Sequence, residues 1–246
     1  NLSGRRAGYG IEHKSEVDQR VLKIIDVRDV LVATRVKLVN CVRGSLKSLG
    51  IFLGSGWSTE AFARKATEQL EANDYELVAP LLEMIAELTV RIKAQDRKID
   101  DLIAKDYPAA KRLMSIPGVG PITALAFVLI IGSPDRFAKA REVGPFLGLV
   151  PRRDQSGDTD KPMRITKAGN QMLRRLLINC AQYTLGKFGP DSALRKAGER
   201  KAGTGAKVAK KKAVVMTARK LAVLMLALWK DPEAEYEPFP NKPKEE

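Results

Sequence analysis

YELVAPLLEMIAELTVRIKAQDRKIDDLIAK, residues 75–105, sets the frame for the rest of the chain. Leu81, Ile85, Leu88, Ile92, Gln95, Ile99 and Leu102 follow one another at alternating steps of four and three residues. That spacing averages about 3.5 residues per turn, the mark of a coiled-coil seam, in which slight underwinding keeps one apolar stripe facing a partner helix. Gln95 would fix register within such a seam. An amphipathic helix packed on an earlier helix of the same chain satisfies the spacing equally well. Either way this stretch is a scaffold or a dimerisation arm rather than a place for chemistry.

Working back toward the start, Ser15–Leu49 is also helical in pattern, with Val17, Val21, Ile24, Leu31, Leu38 and Val42 recurring between charged residues. Gly50, Gly54 and Gly56 interrupt it. A short helix is predicted over Ser58–Glu71, capped by Ser58 or Thr59. Residues 1–14 are rich in Gly and Arg and read as a linker, so 15–110 is expected to be one helical, coiled-coil arm.

Working forward, residues 111–230 form a second unit of short helical patterns separated by Gly and Pro. The last pattern is the strongest, with Val214, Ala218, Leu221, Met225 and Leu228 on one stripe. No convincing alternating strand pattern is present. The acidic, Pro-rich residues 231–246 read as a disordered tail. The predicted fold class is therefore all-α: a long helical arm followed by a compact basic helical domain.

Charge separates the two parts. The 246 residues carry a formal net charge of +14. Between Lys105 and Lys230 there are 25 Lys and Arg against 8 Asp and Glu, a net +17, which leaves −3 for everything else. A polyanion would bind the second part, because each phosphate neutralised releases condensed counterions. A basic, solvated surface is the plainer explanation. Cys41 and Cys180 lie among apolar residues and read as buried free thiols in a reducing compartment. With His13 the single histidine, Cys₂His₂ zinc sites and His-based triads are excluded within the chain. No signal peptide opens the chain, and the apolar runs Ile122–Ile131 and Leu221–Trp229 are too short to span a bilayer. Its first residue, Asn1, suggests a fragment.

Three motifs are candidates for function. Ile116-Pro117-Gly118-Val119-Gly120-Pro121, between predicted helices Ala109–Ser115 and Ile122–Ile131, resembles a helix-hairpin-helix. Gly118 and Gly120 allow a tight turn, and unpaired N–H groups at the next helix start suit a phosphate. Lys111 and Arg112 add favourable charge, although such turns also occur purely for packing. The second motif, Leu147–Asp158, ends an apolar turn at Pro151 and continues as Arg152-Arg153-Asp154-Gln155-Ser156-Gly157-Asp158. Arg152, Arg153 and Arg164 suit a scissile phosphate. Ser156 would need a proton acceptor, from Asp154, Asp158 or a metal-bound water; without one, a Ser-Gly pair is a turn. The third is a basic series including Lys161, Arg164, Lys167, Arg174, Arg175 and Lys210, Lys211, Lys212. Three lysines at a helix start oppose the macrodipole, which a phosphate partner would offset.

Taken in order, Gly132-Ser133-Pro134-Asp135-Arg136-Phe137, Gly148–Arg153, Ser156-Gly157, Ile165–Asn170 and Leu173–Leu177 resemble the C-terminal transposase domain of insertion sequence family 110. The match runs over about 110 residues and continues to Leu221–Trp229, and Arg28–Gly50 is similar to the helix after the family's first domain. The resemblance implies a RuvC-like domain with four acidic metal ligands, a coiled-coil connector and a helical domain bearing a catalytic serine, matched here by Ser156. It also implies a phosphoserine intermediate, a bridge RNA that guides DNA choice, Mg²⁺ held by the acidic domain rather than by this chain, a homo-oligomer (dimer or tetramer), and a cytoplasmic, nucleoid location. No four-carboxylate set is readable in this sequence, so the RuvC-like domain is expected to be missing and the chain alone inactive. The rival readings are a non-catalytic helix-hairpin-helix nucleic-acid binder and a structural dimerisation module.

Overall fold

The computed structural model describes residues 15–240, except 157, 158 and 204; for 153–163 it describes the backbone alone. The expected linker 1–14 lies outside the described residues. Two compact units emerge, 16–102 and a second from Ile103 onward, with the division inside one helix.

The first unit is built on two long helices, α1 (Glu16–Ser48) and α3 (Ala72–Asp106). Arg28 Nε donates to Asp96 Oδ1, and Arg35 Nη1 donates to Thr89 Oγ1 at 3.1 Å. One heptad forward in α1 thus meets one heptad back in α3, and the helices run antiparallel. In the same register Val39, Val42 and Leu46 share a core with Val78, Leu82 and Ile85. Ile25 then falls level with Ile99, and Val32 with Ile92.

The register set by those contacts aligns Val21, Ile25, Arg28, Val32, Arg35, Val39, Val42 and Leu46 on α1 with Val78, Leu82, Ile85, Thr89, Ile92, Asp96 and Ile99 on α3. Both series step by four and three, so the expected partner of this stripe is an earlier helix of the same chain, packed antiparallel. This corrects the seam expected from sequence. Ile85, Ile92 and Ile99 are in the core, but Leu81, Leu88, Gln95 and Leu102 lie half-buried along its flank. Gln95 therefore does not set register; the polar layers Arg28–Asp96 and Arg35–Thr89 occupy core positions instead. Burial disfavours the charged form of Arg35, lowering its pKa, and Glu60 partly opposes this.

The connection between them packs on one side of this pair. Arg43 donates to the carbonyls of Leu53 and Gly54 at 3.3 and 2.9 Å and lies over the Trp57 and Phe62 rings. α2 (Phe62–Gln69) inserts Phe62 and Ala66 into the core. Ser58 Oγ accepts from Ala61 N–H just before it, as a cap would. Lys93 reaches Glu60 at 2.6 Å, and that contact lowers the Glu60 pKa.

In the second unit α4 (Pro108–Leu113) and α5 (Pro121–Ile131) are followed by two 3₁₀ turns, α6 (Val143–Phe146), strands β1 (Pro151–Ser156) and β2 (Thr159–Ile165), α7 (Gln171–Leu185), α8 (Ala193–Ala202) and α9 (Lys207–Lys230). α5 is apolar all round and buried from Thr123 to Ile131, as a helix at the centre of a core must be. α9 packs on α4, α6, α7 and α8. Its buried stripe contains the predicted Ala218, Leu221, Met225 and Leu228, with Ala213 and Ala222 allowing close approach. Asn170 and Ser192 cap α7 and α8 by accepting from Leu173 and Arg195 N–H.

The all-α expectation holds for both units, with one addition: β1 and β2 form an antiparallel hairpin that no alternating pattern announced. The 231–240 segment also departs from the expected disordered tail. Pro238 O accepts from Ala193 N–H at 2.8 Å, Lys196 Nζ lies 4.7 Å from the Phe239 ring centre, and Tyr236 bonds to Ser192. An acidic, Pro-rich composition conceals these two aromatic anchors. Residues 241–246 lie outside the described residues.

Candidate functional site

Two motifs from the sequence cross at the base of the β-hairpin. The turn after α6 is closed by Gly148 N–H to Pro145 O and Leu149 N–H to Gly144 O. Gly148 has φ +66°, and a Cβ there would meet Ala168 N at 2.3 Å. Gly169 has φ +75°, and its Cβ would meet Phe146 O at 2.1 Å. Glycine is thus required at both positions, by conformation and by space. Thr166 N–H to Val150 O and Lys167 N–H to Gly148 O extend the ladder below the strands. Arg174 donates to Leu147 O at 3.1 Å and Ala168 O at 2.7 Å, binding both segments together. A guanidinium held by two carbonyls positions the loop; it is not a loose surface cation.

The strands carry that base outward to the predicted serine. Backbone pairing runs from Pro151 with Ile165, across a register irregularity, to Arg153 with Pro162 and Ser156 with Thr159. Ser156 is the last residue of β1, next to the two-residue connection. The side chains of Arg153, Ser156 and Lys161, and the whole of Gly157 and Asp158, lie outside the described residues. Of the expected phosphate clamp, Arg152 and Arg164 are exposed on opposite strands near the hairpin base, and Lys167 is exposed just beyond with φ 57°. Arg175 is exposed on α7, one position from the loop-binding Arg174.

The Gly118–Gly120 turn is where the spacing placed it. Gly118 has φ +88°, and a Cβ on it would lie 2.6 Å from the Tyr183 ring. Gly120 caps α5 in an extended conformation, and a Cβ there would meet nothing within 4 Å. The space beside the α5 start is therefore open, while Pro121 occupies its first turn. Arg112 is not part of this opening. It donates to Leu228 O, in the last turn of α9, and to Asp231 O just beyond it. Lys111 remains exposed. Tyr183, 43% exposed beside Gly118, belongs to the same surface; a single tyrosine on the polar side of an amphipathic helix gives no periodic signal for it.

Lys210, Lys211 and Lys212 are exposed in the first two turns of α9, which has no acidic residue in its first turn. The dipole there disfavours their charge and favours an anion nearby. Arg195 serves α7, donating to Thr184 O, Gly186 O and Gly189 O at 3.2, 2.7 and 2.6 Å. Of the cysteines, Cys180 is buried and donates to Thr123 Oγ1 at 3.5 Å, and burial raises its thiol pKa. Cys41 is exposed, contrary to the sequence expectation, because its position on α1 faces away from the core shared with α3. Among the described residues, no group of three His, Cys, Asp or Glu is placed to hold a metal ion, and no helix is long and apolar enough to cross a membrane.

Comparison with known proteins bears on this hairpin and its surroundings. Residues 110–196 match the family model described as Transposase IS116/IS110/IS902 family. The chain is 32% identical over 181 residues to the transposase for insertion sequence element IS1111A of Coxiella burnetii, covering 71% of this chain and 49% of that protein. It is 31% identical over 182 residues to the transposase for insertion sequence element IS1328 of Yersinia enterocolitica, covering 73% and 54%. A putative transposase of Sinorhizobium fredii, y4rJ, is 31% identical over 87% of this chain and 57% of its own length. The chain thus spans about half the length of the curated relatives it matches.

Proposed function

We propose that this chain, which carries an IS116/IS110/IS902-family transposase domain at 110–196, acts in DNA transposition with Ser156 as the nucleophile. The observation that carries the reading is that the family match spans the β-hairpin that brings Ser156 to its tip. In the transfer, Ser156 Oγ forms a bond to a DNA phosphorus, one phosphorus–sugar oxygen bond breaks, the serine proton passes to a base and the departing oxygen takes one up. The phosphoserine keeps the phosphodiester energy, so the reverse attack by another DNA hydroxyl rejoins strands without a further energy source. Arg152, Arg153 and Arg164 bind the phosphate and favour the charge that builds on it. Lys167, Arg175 and Lys210, Lys211, Lys212 contact neighbouring phosphates. Gly118 and Gly120 offer backbone to another phosphate, and Arg174 positions the hairpin base.

Within this reading the partners are DNA and a guide (bridge) RNA, the protein works as a homo-oligomer, and the location is the bacterial cytoplasm. Magnesium belongs to the reaction, but the described residues of this chain do not fit a metal centre, so its ligands come from outside them. A second reading, in which the chain only binds nucleic acid through the α4–α5 turn, draws on the open space at Gly120.

Ser156 separates the two. In a transposase assembled with the portion of its relatives that this chain does not span, Ser156→Ala is expected to abolish strand exchange and the covalent protein–DNA adduct on denaturing gels. DNA and RNA affinity should stay nearly unchanged, because a small neutral hydroxyl contributes little to phosphate binding. An adduct that persists in the variant, or maps to another residue, removes the serine assignment and favours the binding module.

A further inference from the structure

Segment 231–240 lies against the basic unit and is tied to it at both ends. Arg112 on α4 donates to Asp231 O and, at 3.5 Å, to Ala234 O. At the other end the first amide of α8, Ala193 N–H, donates to Pro238 O at 2.8 Å, Tyr236 bonds to Ser192, and Lys196 Nζ lies 4.7 Å from the Phe239 ring centre. These ties use carbonyls, a hydroxyl and a ring; the carboxylates of Glu233 and Glu235 take no part in them. Asp231, Glu233, Glu235 and Glu237 alternate along the segment, all exposed, and no Lys or Arg stands between them. A charge of −4 is thus held in place on a unit that is otherwise strongly basic. Solubility alone would need no ties, since a free acidic tail confers it equally well.

Under the strap begins a basic stripe on α8. Ala193, Lys196 and Arg200 follow one another at steps of three and four, so they share one face of the helix, and Lys196 and Arg200 are exposed. Arg195, between them in sequence, is committed to three carbonyls at the end of α7. Lys196 has an exposed pair with Asp191 at 3.2 Å, the kind that exchanges at little cost, and Arg200 makes no hydrogen bond or ion pair with a described residue. From Ala193 to Arg200 is about 10 Å along a helix, roughly one Debye length at 0.1 M ionic strength, so carboxylates held at the near end act on the whole stripe. The occupant in place also indicates what fits: an extended chain with a negative charge on every second residue. We propose that Lys196 and Arg200 form a further contact surface for the phosphodiester backbone of duplex DNA, and that segment 231–240 is an acidic strap that DNA must displace to reach it. The proposal rests on the reading of the chain as acting on DNA, and adds to it a surface apart from the hairpin and a device that restrains binding there.

Anisotropy titrations of a short labelled DNA duplex with the full chain, repeated across salt, test it without strand transfer, so the outcome is independent of Ser156. Tyr236→Ala with Phe239→Ala frees the strap and keeps every charge. The freed chain is expected to bind about tenfold more tightly near 100 mM salt, with a slope of log affinity against log salt steeper by about 2, one for each cation gained. Lys196→Gln with Arg200→Gln, added to the freed chain, should return both readings to the parent's. Hydrogen exchange of the unaltered chain supplies a reading that needs no variant: saturating DNA should speed exchange at 236–239 as the strap leaves. A freed chain that binds no better than the parent, or a gain that survives the loss of Lys196 and Arg200, overturns the proposal. So does exchange at 236–239 that is unchanged or slowed by DNA. In each of these cases a parent that binds DNA leaves the transposition reading standing, whereas parent and freed chains that both fail to bind DNA remove that reading too.

Discussion

The two units of this molecule reach order by opposite routes. In α1 and α3 order comes from repetition: the same four-three step recurs on both helices, and two cross-helix polar contacts are enough to define the register. In the basic unit order comes from singular residues, each with one task. Gly148 and Gly169 let two loops cross, Arg174 joins them, Arg112 closes the end of α9, and Arg195 closes the end of α7. A repeat tolerates change at most single positions because its neighbours carry the same information. A set of singular contacts does not. The charge division follows the same line, with the basic excess confined to the unit whose backbone is most specifically held.

The largest effect that sharpens this contrast is electrostatic. With roughly 6–10 phosphate contacts, nucleic-acid affinity should fall by about 10³–10⁵ between 50 and 200 mM salt. Lys210, Lys211 and Lys212→Gln together should reduce the slope of log affinity against log salt by about 3, one for each lysine that no longer neutralises a phosphate. The same change at exposed Lys47, Arg64 and Arg97 on the arm should leave the slope alone. Fluorescence anisotropy titrations across salt read both. An equal drop in slope from the two triples would mean that the arm, too, tracks the phosphate backbone.

Gly148→Ala probes the crossing and should give the next largest effect. The residue's φ of +66° strains any side chain, and the added Cβ would meet backbone atoms of Ala168 and Lys167 that cannot swing aside. A loss of about 3 kcal/mol is expected in chemical denaturation of the basic unit. Hydrogen exchange should place the loosening at 146–150 and 166–170, leaving α1 and α3 protected. A loss below about 1 kcal/mol would show that the crossing yields, and that Arg174 alone holds the loops.

Legibility in the sequence divides along the same boundary. The long helices are readable because periodicity sums over many residues, and the predicted spans Ser15–Leu49 and Tyr75–Lys105 differ from α1 and α3 by few residues at each end. The choice of stripe is not readable. The rows containing Leu81 and Leu82 are both apolar, and only the partner helix decides which becomes the core. The Gly118 turn is legible because Gly and Pro carry their conformational demands with them. The β-hairpin is not, since PRRDQS and TDKPMRI carry no apolar–polar alternation in their sequence, and what the structure gives for them is backbone pairing. Arg112 and Arg174 look like phosphate ligands because guanidinium suits carbonyl oxygens and phosphate oxygens alike; distance along the chain hides the carbonyls they serve. Two aromatic residues in an acidic segment are too sparse to reveal that 231–240 docks.

The smallest expected effect asks what the polar layers between α1 and α3 are for. Arg35 is 8% exposed at a core position, its Nη1 bonds to Thr89, and its buried Nε has no hydrogen-bond partner among the described residues. A charge held this way loses hydration that one neutral hydroxyl only partly replaces, and Glu60 offsets some of the remainder across a wetter edge. Methionine fills similar length without a charge to desolvate. Thr89 would keep its own bond to Ile85 O at 2.8 Å, so no new unsatisfied donor appears. Arg35→Met is therefore expected to leave stability unchanged or raise it by about 1 kcal/mol in denaturant titrations. What it should lose is uniqueness. With Arg28–Asp96 as the single remaining polar layer, a shift of one heptad between α1 and α3 becomes less costly, and the variant should show added hydrogen exchange and line broadening along both helices. A destabilisation above about 2 kcal/mol with register intact would mean that Arg35 contributes net binding energy to the helix pair, and that its polar layer is a source of strength rather than of alignment.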